Sequence, residues 1–146
     1  MNLFGVMTIS GTALLAERER AEIVASNLAN AETTRTGSGG PYQREHVVFA
    51  AMRPFGMPFG MQLASMVDFS ACGVQVEGVV ADPAPPIRRY EPGHPDADAQ
   101  GYVEMPNINP IEEEVNLMGA ARSYQANVSA VQATKNMISS ALEILA

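Results

Sequence analysis

The sequence predicts a mainly α-helical protein, in which long N- and C-terminal helices flank a small module of short β-strands. Three features support this fold class: a heptad spacing of apolar residues at the C-terminus, a weaker copy at the N-terminus, and short β-branched runs between them. We place an N-terminal helix in residues 1–34, a loop-rich β insert in 35–108 and a C-terminal helix in 109–146. We expect the two helices to pair as a coiled coil in an assembly.

The C-terminal helix is predicted over residues 110–145, with Asn109 as N-cap, Pro110 at the first helical position and Glu112–Glu114 near the positive end of the dipole. Its apolar stripe steps by four and three residues, interrupted by one charge, Lys135. The stripe comprises Leu117, Ala121, Tyr124, Val128, Val131, Ile138, Leu142 and Leu145. Such a helix is about 50 Å long, so it must project or pack against something elongated.

The N-terminal helix is predicted over residues 6–31, and its stripe contains Leu14, Val24 and Leu28. Ser26, Asn27 and Asn30 form a polar cluster near its end, although such residues lower helix propensity. Two interpretations are open. The buried amide of Asn27 can fix register in a helical assembly, or the cluster is only a helix terminus, at which Asn30 and Thr33 satisfy the last turn.

The insert is predicted to contain short strands at residues 47–52, 74–80, 87–90 and 102–105, separated by prolines and glycines. The Met-Phe-Gly-rich stretch 52–66 contains PFGM twice in tandem, and it is either a flexible apolar insertion or an adaptable binding surface. Cys72 is the single cysteine and is read as a small buried hydrophobe, since it can form no internal disulfide.

Neither helix has a full partner within the chain. Full burial of the C-terminal stripe involves on the order of 10–20 kcal/mol, and the shorter N-terminal helix covers only part of it. Isolated helices are marginal in water, so both arms are expected to be largely unfolded in the free monomer.

Composition and charge exclude several classes of function. The net charge of −7 and the lack of a basic cluster argue against binding to nucleic acid or anionic lipid. No stretch approaches the length of a membrane span. The first basic residue is Arg18, so no cleavable signal peptide is predicted.

The most enzyme-like stretch is HPDADAQG, residues 94–101. His94, Asp96 and Asp98 could form a metal-dependent hydrolytic or calcium-binding module, but position 12 of an EF-hand loop is Asn107 here. The simpler interpretation is a solvated turn, which the aspartates cap. With no nucleophile motif and no cofactor-binding motif, we expect no enzyme activity.

Several motifs resemble those of the bacterial flagellar axial proteins of the rod and hook, and of the proximal rod above all. They are ASNLANAETT (25–34), ANAETTRTGSGGPYQRE (29–45), the long stretch from YEPGHPDADAQGYVEMPNINP to ATKNM (90–137) and ALEIL (141–145). The resemblance implies a substrate of the flagellar type III export apparatus that assembles across the periplasm into a hollow rod. Expected partners are other axial rod proteins, the export-gate junction protein and further copies of the chain.

The same resemblance places the terminal helices in the inner wall of the rod and the β insert outside. It assigns packing roles to residues 26–30 and a helix-start role to residues 109–113. Family members commonly have an apolar residue where this chain has Glu114, which leaves open whether the buried stripe begins before Leu117. The implied function is mechanical, a structural rod subunit required for flagellum assembly and motility. The predicted assembly interface comprises Leu14, Val24, Ser26, Asn27, Leu28, Asn30, Asn109, Pro110, Leu117, Ala121, Tyr124, Val128, Val131, Ile138, Leu142 and Leu145.

Overall fold

A computed structural model of the chain describes residues 3–37, 39–52 and 73–145. In chain order the elements are α1 (Leu3–Ala29), β1 (Glu45–Ala51), β2 (Val74–Ala81), β3 (Ile87–Tyr90), β4 (Tyr102–Met105) and α2 (Pro110–Leu145). The prediction of two long terminal helices with small strand pairs between them is confirmed. Cys72 and the tandem PFGM motif lie outside the described residues.

The start of α2 is capped as predicted. The Asn109 side-chain oxygen accepts a hydrogen bond from the Ile111 amide (3.1 Å), and Pro110 is the first helical residue. Over its 36 residues the helix is about 54 Å long.

Helix α1 begins at Leu3, three residues before the predicted start, and ends at Ala29, two residues before the predicted end. It ends there because Asn30 closes the last turn. The Asn30 side chain donates to the Ser26 carbonyl (2.9 Å), which also accepts the Asn30 amide (3.0 Å). Thr33 then donates its hydroxyl to the Asn30 side chain (3.2 Å). Asn30 and Thr33 therefore satisfy the helix end as the sequence predicted.

The strands form two separate two-stranded sheets, β1–β2 and β3–β4. β3 and β4 are antiparallel, with Ile87 opposite Met105 and Tyr90 opposite Tyr102. Beside β1 and β2, the Asp82 amide donates to the Arg44 carbonyl and the Met52 amide to the Gly73 carbonyl, which is an antiparallel order. The two bonds are eight residues apart along β1 and nine along β2, so β2 accommodates one extra residue, as in a β-bulge.

The chain divides into two compact units. The first comprises residues 1–19, 49–77 and 120–146, and its buried side chains in the described part are Ser10, Ala16, Ala120 and Thr134. The second comprises residues 20–48 and 78–119. Its buried side chains include Val24, Asn27, Val103, Ile108 and Glu113. No helix within the described ranges is long and apolar enough to span a membrane.

The buried face of α2 differs from the predicted stripe. Its most buried positions are Glu113, Ala120 and Thr134, which share one heptad position with the half-buried Asn127. Small size allows Ala120 to lie inside, whereas Asn127 and Thr134 donate to backbone carbonyls one turn earlier (both 2.9 Å). The heptad period was therefore predicted correctly, but the face that the chain itself buries lies one residue before the predicted stripe.

Candidate assembly interface

The polar cluster at the end of α1 is built around Asn27, whose side chain is 1% exposed. Its Nδ2 donates to the Glu45 carbonyl (2.8 Å) and to Glu113 Oε2 (3.1 Å), while its Oδ1 accepts from the Glu45 amide (2.9 Å) and the Tyr42 hydroxyl (3.1 Å). The amide thus makes all four of the hydrogen bonds it can make. Within its own chain Asn27 therefore bonds to distant segments, whereas Asn30 satisfies the helix end. A role for Asn27 in the assembly stays a prediction.

Glu113 is the second centre of this network and is also 1% exposed. Arg44 Nη2 forms a short, charge-assisted hydrogen bond and ion pair with Glu113 Oε1, and Asn116 lies 3.5 Å from the same oxygen. The sequence assigned Glu113 to a row of first-turn charges beside the helix dipole. That assignment is incomplete, because its carboxylate is buried and paired, while Glu112 and Glu114 are exposed.

Arg44 and Tyr42 connect the network to the rest of the second unit. The Tyr42 amide donates to the Thr33 carbonyl (3.1 Å), and the Arg44 carbonyl accepts the Asp82 amide (2.7 Å). Asn27, Arg44 and Glu113, together with Tyr42 and the Glu45 backbone, are called the junction network below. It joins the end of α1, the segment leading into β1 and the start of α2.

Opposite Glu113, the first turns of α2 carry an apolar face that the sequence reasoning missed. Ile111, Val115 and Met118 are spaced by four and three residues and are 49–72% exposed. The spacing was visible in the sequence, but Glu112–Glu114 made the region read as a charged first turn. Within the chain itself, burial on α2 begins at Glu113, before Leu117; where the stripe buried in the assembly begins stays a prediction.

In the first unit, the predicted α2 stripe is largely open to solvent. Tyr124, Val128 and Leu142 are 36–62% exposed, while Val131 and Ile138 are half-buried. Large apolar side chains are thus exposed at heptad spacing on a helix whose inner face is small or polar. A contiguous exposed apolar row of this kind is typical of a surface that another protein covers.

The predicted interface residues fall into three groups. Val24 and Asn27 are buried; Leu14, Ser26, Leu28, Asn30, Leu117, Val131 and Ile138 are half-buried; Asn109, Pro110, Ala121, Tyr124, Val128 and Leu142 are exposed. The Leu145 side chain lies outside the description. The exposed group is directly available to a neighbour, whereas a buried residue such as Asn27 can act on assembly only through the shape of its own chain.

The 94–101 segment is a turn held by hydrogen bonds of its own side chains. Asp98 Oδ1 accepts the amides of Gln100 (2.8 Å) and Tyr102 (2.9 Å), and Oδ2 accepts Arg88 Nη2 (3.0 Å). The Tyr102 amide, above all, holds the pKa of Asp98 below its ordinary value. His94 Nδ1 accepts the Asp96 amide (3.1 Å).

These bonds leave the turn without a converging ligand set. Across the part of the chain that the structure describes, no three His, Cys, Asp or Glu side chains come together as a metal site would require. The calcium-binding or hydrolytic alternative is therefore not supported, and the capped, solvated turn is confirmed. The physical reason is that the Asp98 carboxylate already accepts two backbone amides and an arginine, and the Asp96 carboxylate accepts the Thr34 hydroxyl.

Comparison with known proteins agrees with this architecture at both ends of the chain. A family model described as "Flagella basal body rod protein" matches residues 7–35, and one described as "Flagellar basal body rod FlgEFG protein C-terminal" matches residues 99–144. Curated relatives named flagellar basal-body rod protein FlgC match over nearly the whole chain. The protein from Borreliella burgdorferi is 37% identical over 99% of both chains, that from Bacillus subtilis 40% over 99% of both, and that from Escherichia coli 41% over 94% of both.

These matches define the class of the chain, a structural subunit of the bacterial flagellar basal-body rod. Within that class it belongs to the FlgC family.

Proposed function

We propose that this subunit builds the proximal rod, a hollow drive shaft, by packing its terminal helices as a coiled coil against other copies and other rod proteins. The observation that carries the proposal is which side chains α2 exposes and which it buries. Its large apolar side chains (Ile111, Val115 and Met118 in the second unit; Tyr124, Val128 and Leu142 in the first) are exposed, whereas its buried positions are small or polar.

The exposed apolar area is large enough to matter. Full burial of one large apolar side chain is worth about 1.5–3 kcal/mol, and these six side chains are roughly half exposed. Covering them in an assembly releases on the order of 5–10 kcal/mol per subunit before the cost of ordering. A seam of this strength, repeated along a rod, suits a structure that transmits torque and needs no cofactor or catalytic chemistry.

The proposed partners are the other axial rod proteins and the export-gate junction protein, in the part of the rod that crosses the periplasm. The subunit reaches this place through the flagellar type III export apparatus, without a cleavable signal peptide and without inserting into the membrane. Export through a narrow channel suits helices that order fully only on assembly. We assign this behaviour mainly to α2 beyond Gly119, where most side chains are exposed.

Two charges placed on the exposed stripe test the proposal. Val128→Asp with Leu142→Asp should leave the protein produced and exported, but cells should build no rod beyond its base and should not swim, because a buried unpaired carboxylate opposes packing.

The matched control is Gln125→Asp with Ser139→Asp, which adds the same charge at the same fourteen-residue spacing on exposed positions of α2 outside the apolar stripe. Circular dichroism of the purified variants checks that the two pairs have equal helix content. Normal swimming by the Val128/Leu142 pair would show that this stripe does not build the rod.

A further inference from the structure

We infer that the ion pair of Arg44 and Glu113, to which Asn27 donates a hydrogen bond, fixes the register of the two helices. It determines which turn of α2 lies against the end of α1 within the second unit. The inference deepens the proposed function and rests on it for its biological meaning, because a subunit must present its helices in one register to be incorporated. The junction network joins the two helices by a specific hydrogen bond, from Asn27 Nδ2 to Glu113 Oε2 at 3.1 Å.

Apolar packing alone specifies this register poorly. The inner row of α2 (Glu113, Ala120, Asn127 and Thr134) has no large apolar side chain that would fit only one position along a partner helix. The polar pairing does not repeat at heptad spacing. One heptad from Glu113 stands Ala120, and one heptad from Asn27 stand Arg20 and Thr34, so a shift by one heptad brings no amide opposite a carboxylate. A slipped pairing would leave the buried Asn27 amide and the Glu113 carboxylate without each other, which is costly.

The network has the properties of a specificity device and not those of an efficient source of stability. Asn27 is saturated with hydrogen bonds and Glu113 is almost fully buried, yet Arg44 Nε is buried without a hydrogen-bond partner among the described residues. Desolvation of such a pair tends to offset its Coulombic attraction, so apolar replacements of similar volume are often neutral for stability or raise it. These replacements do remove the free-energy penalty on pairing α1 and α2 in a wrong register.

The test measures register directly in the purified full-length chain. Spin labels are attached at cysteines introduced at Ala25 on α1 and Glu114 on α2, both exposed positions of the second unit, in a Cys72→Ser background. Pulsed electron-spin distance measurements then compare the parent with Arg44→Met/Glu113→Met, which removes both charges and keeps long side chains. The control is Arg122→Met with Glu104→Met, which also removes one cation and one exposed carboxylate but leaves the junction network intact.

The parent and the control should each show one narrow distance distribution. The Arg44/Glu113 variant should keep its helix content, but should show a second population, displaced by one turn (about 5 Å) or one heptad (about 10 Å). One unchanged narrow distribution in this variant would overturn the inference.

If the double variant loses its helical signal, Glu113→Gln is measured instead, because the amide keeps the shape of the side chain but removes the charge that pairs with Arg44. A broadened distance distribution supports the inference, and an unchanged one overturns it. Loss of the fold also overturns it, because the pair would then be a source of stability and not of specificity. The measurement needs no rod, so its outcome is independent of the Val128/Leu142 experiment.

Discussion

Replacing Gly73 with alanine should strain the place where β2 begins beside α1. A methyl group at Gly73 would lie 2.3 Å from Thr12 Oγ1 and 3.0 Å from Thr12 Cβ and Cγ2. The hydroxyl is held in place, because Thr12 donates to the Ile9 carbonyl (2.8 Å) and accepts the Val74 amide (3.1 Å). Thr12 or the strand must therefore move.

The expected magnitude follows from these contacts. Overpacking of this kind costs about 1–3 kcal/mol, so Gly73→Ala should lower the free energy of unfolding by about 2 kcal/mol. Thr12→Ala should cost about 1 kcal/mol, because it leaves the Val74 amide without its acceptor. In the double variant the Oγ1 and Cγ2 atoms are gone, and only the Cβ of residue 12, 3.0 Å away, still crowds the new methyl. Its cost should fall short of the sum of the single costs by about 1 kcal/mol.

Urea unfolding followed by circular dichroism measures this cycle on the parent, both single variants and the double variant. Gly78→Ala is the control, since Gly78 lies within β2, which Gly73 directly precedes, and an added Cβ there meets nothing within 4 Å. A Gly73→Ala cost as small as that of Gly78→Ala, or single costs that simply add, would contradict a close approach of Gly73 to Thr12.

Three further predictions concern the turn and the helix start. Gly101→Ala should lower the free energy of unfolding by about 1–2 kcal/mol, because Gly101 has a positive φ (82°). Gly93→Ala should cost far less, because an added Cβ there meets nothing within 4 Å, and amide exchange across β3–β4 distinguishes the two variants. The Asp98 carboxyl, whose pKa the Tyr102 amide lowers from 3.8, should protonate in NMR titrations at lower pH than in an unfolded peptide. The stabilisation that the Asp98 carboxylate contributes is present above its pKa in the unfolded chain and is lost as the pH falls through its lower pKa in the folded protein. Asp98→Asn should abolish that pH dependence. Asn109→Ala should lower the free energy of unfolding by about 1 kcal/mol and Asn109→Ser should restore most of it, and equal values for the two would contradict the capping role.

Local features of this chain were predictable because their hydrogen bonds close within a few residues. The N-cap at Asn109 reaches two residues, the Asn30 closure of α1 reaches four, and the Asp98 turn reaches two and four. The predicted strands 87–90 and 102–105 match β3 and β4, whereas the predicted 47–52 begins two residues after β1 does. Glu45 and His46 are not apolar strand formers, and they join β1 through pairing with β2.

The junction network was not predictable to the same extent. Asn27 was singled out, but its partners lie 18 and 86 residues away, and the Arg44–Glu113 pair spans 69 residues. A carboxylate in a row of three glutamates carries no signal that distinguishes the buried one from its neighbours.

By itself the sequence determined the two heptad helices, the capped ends, the turn around Asp98 and the kinship with flagellar rod proteins. The tertiary structure decided which face of α2 is buried and which is left open, and that Glu113 lies inside with Asn27 and Arg44. The reason is physical: a heptad period is a property of neighbouring residues, whereas the face that is buried depends on what distant segments place against it.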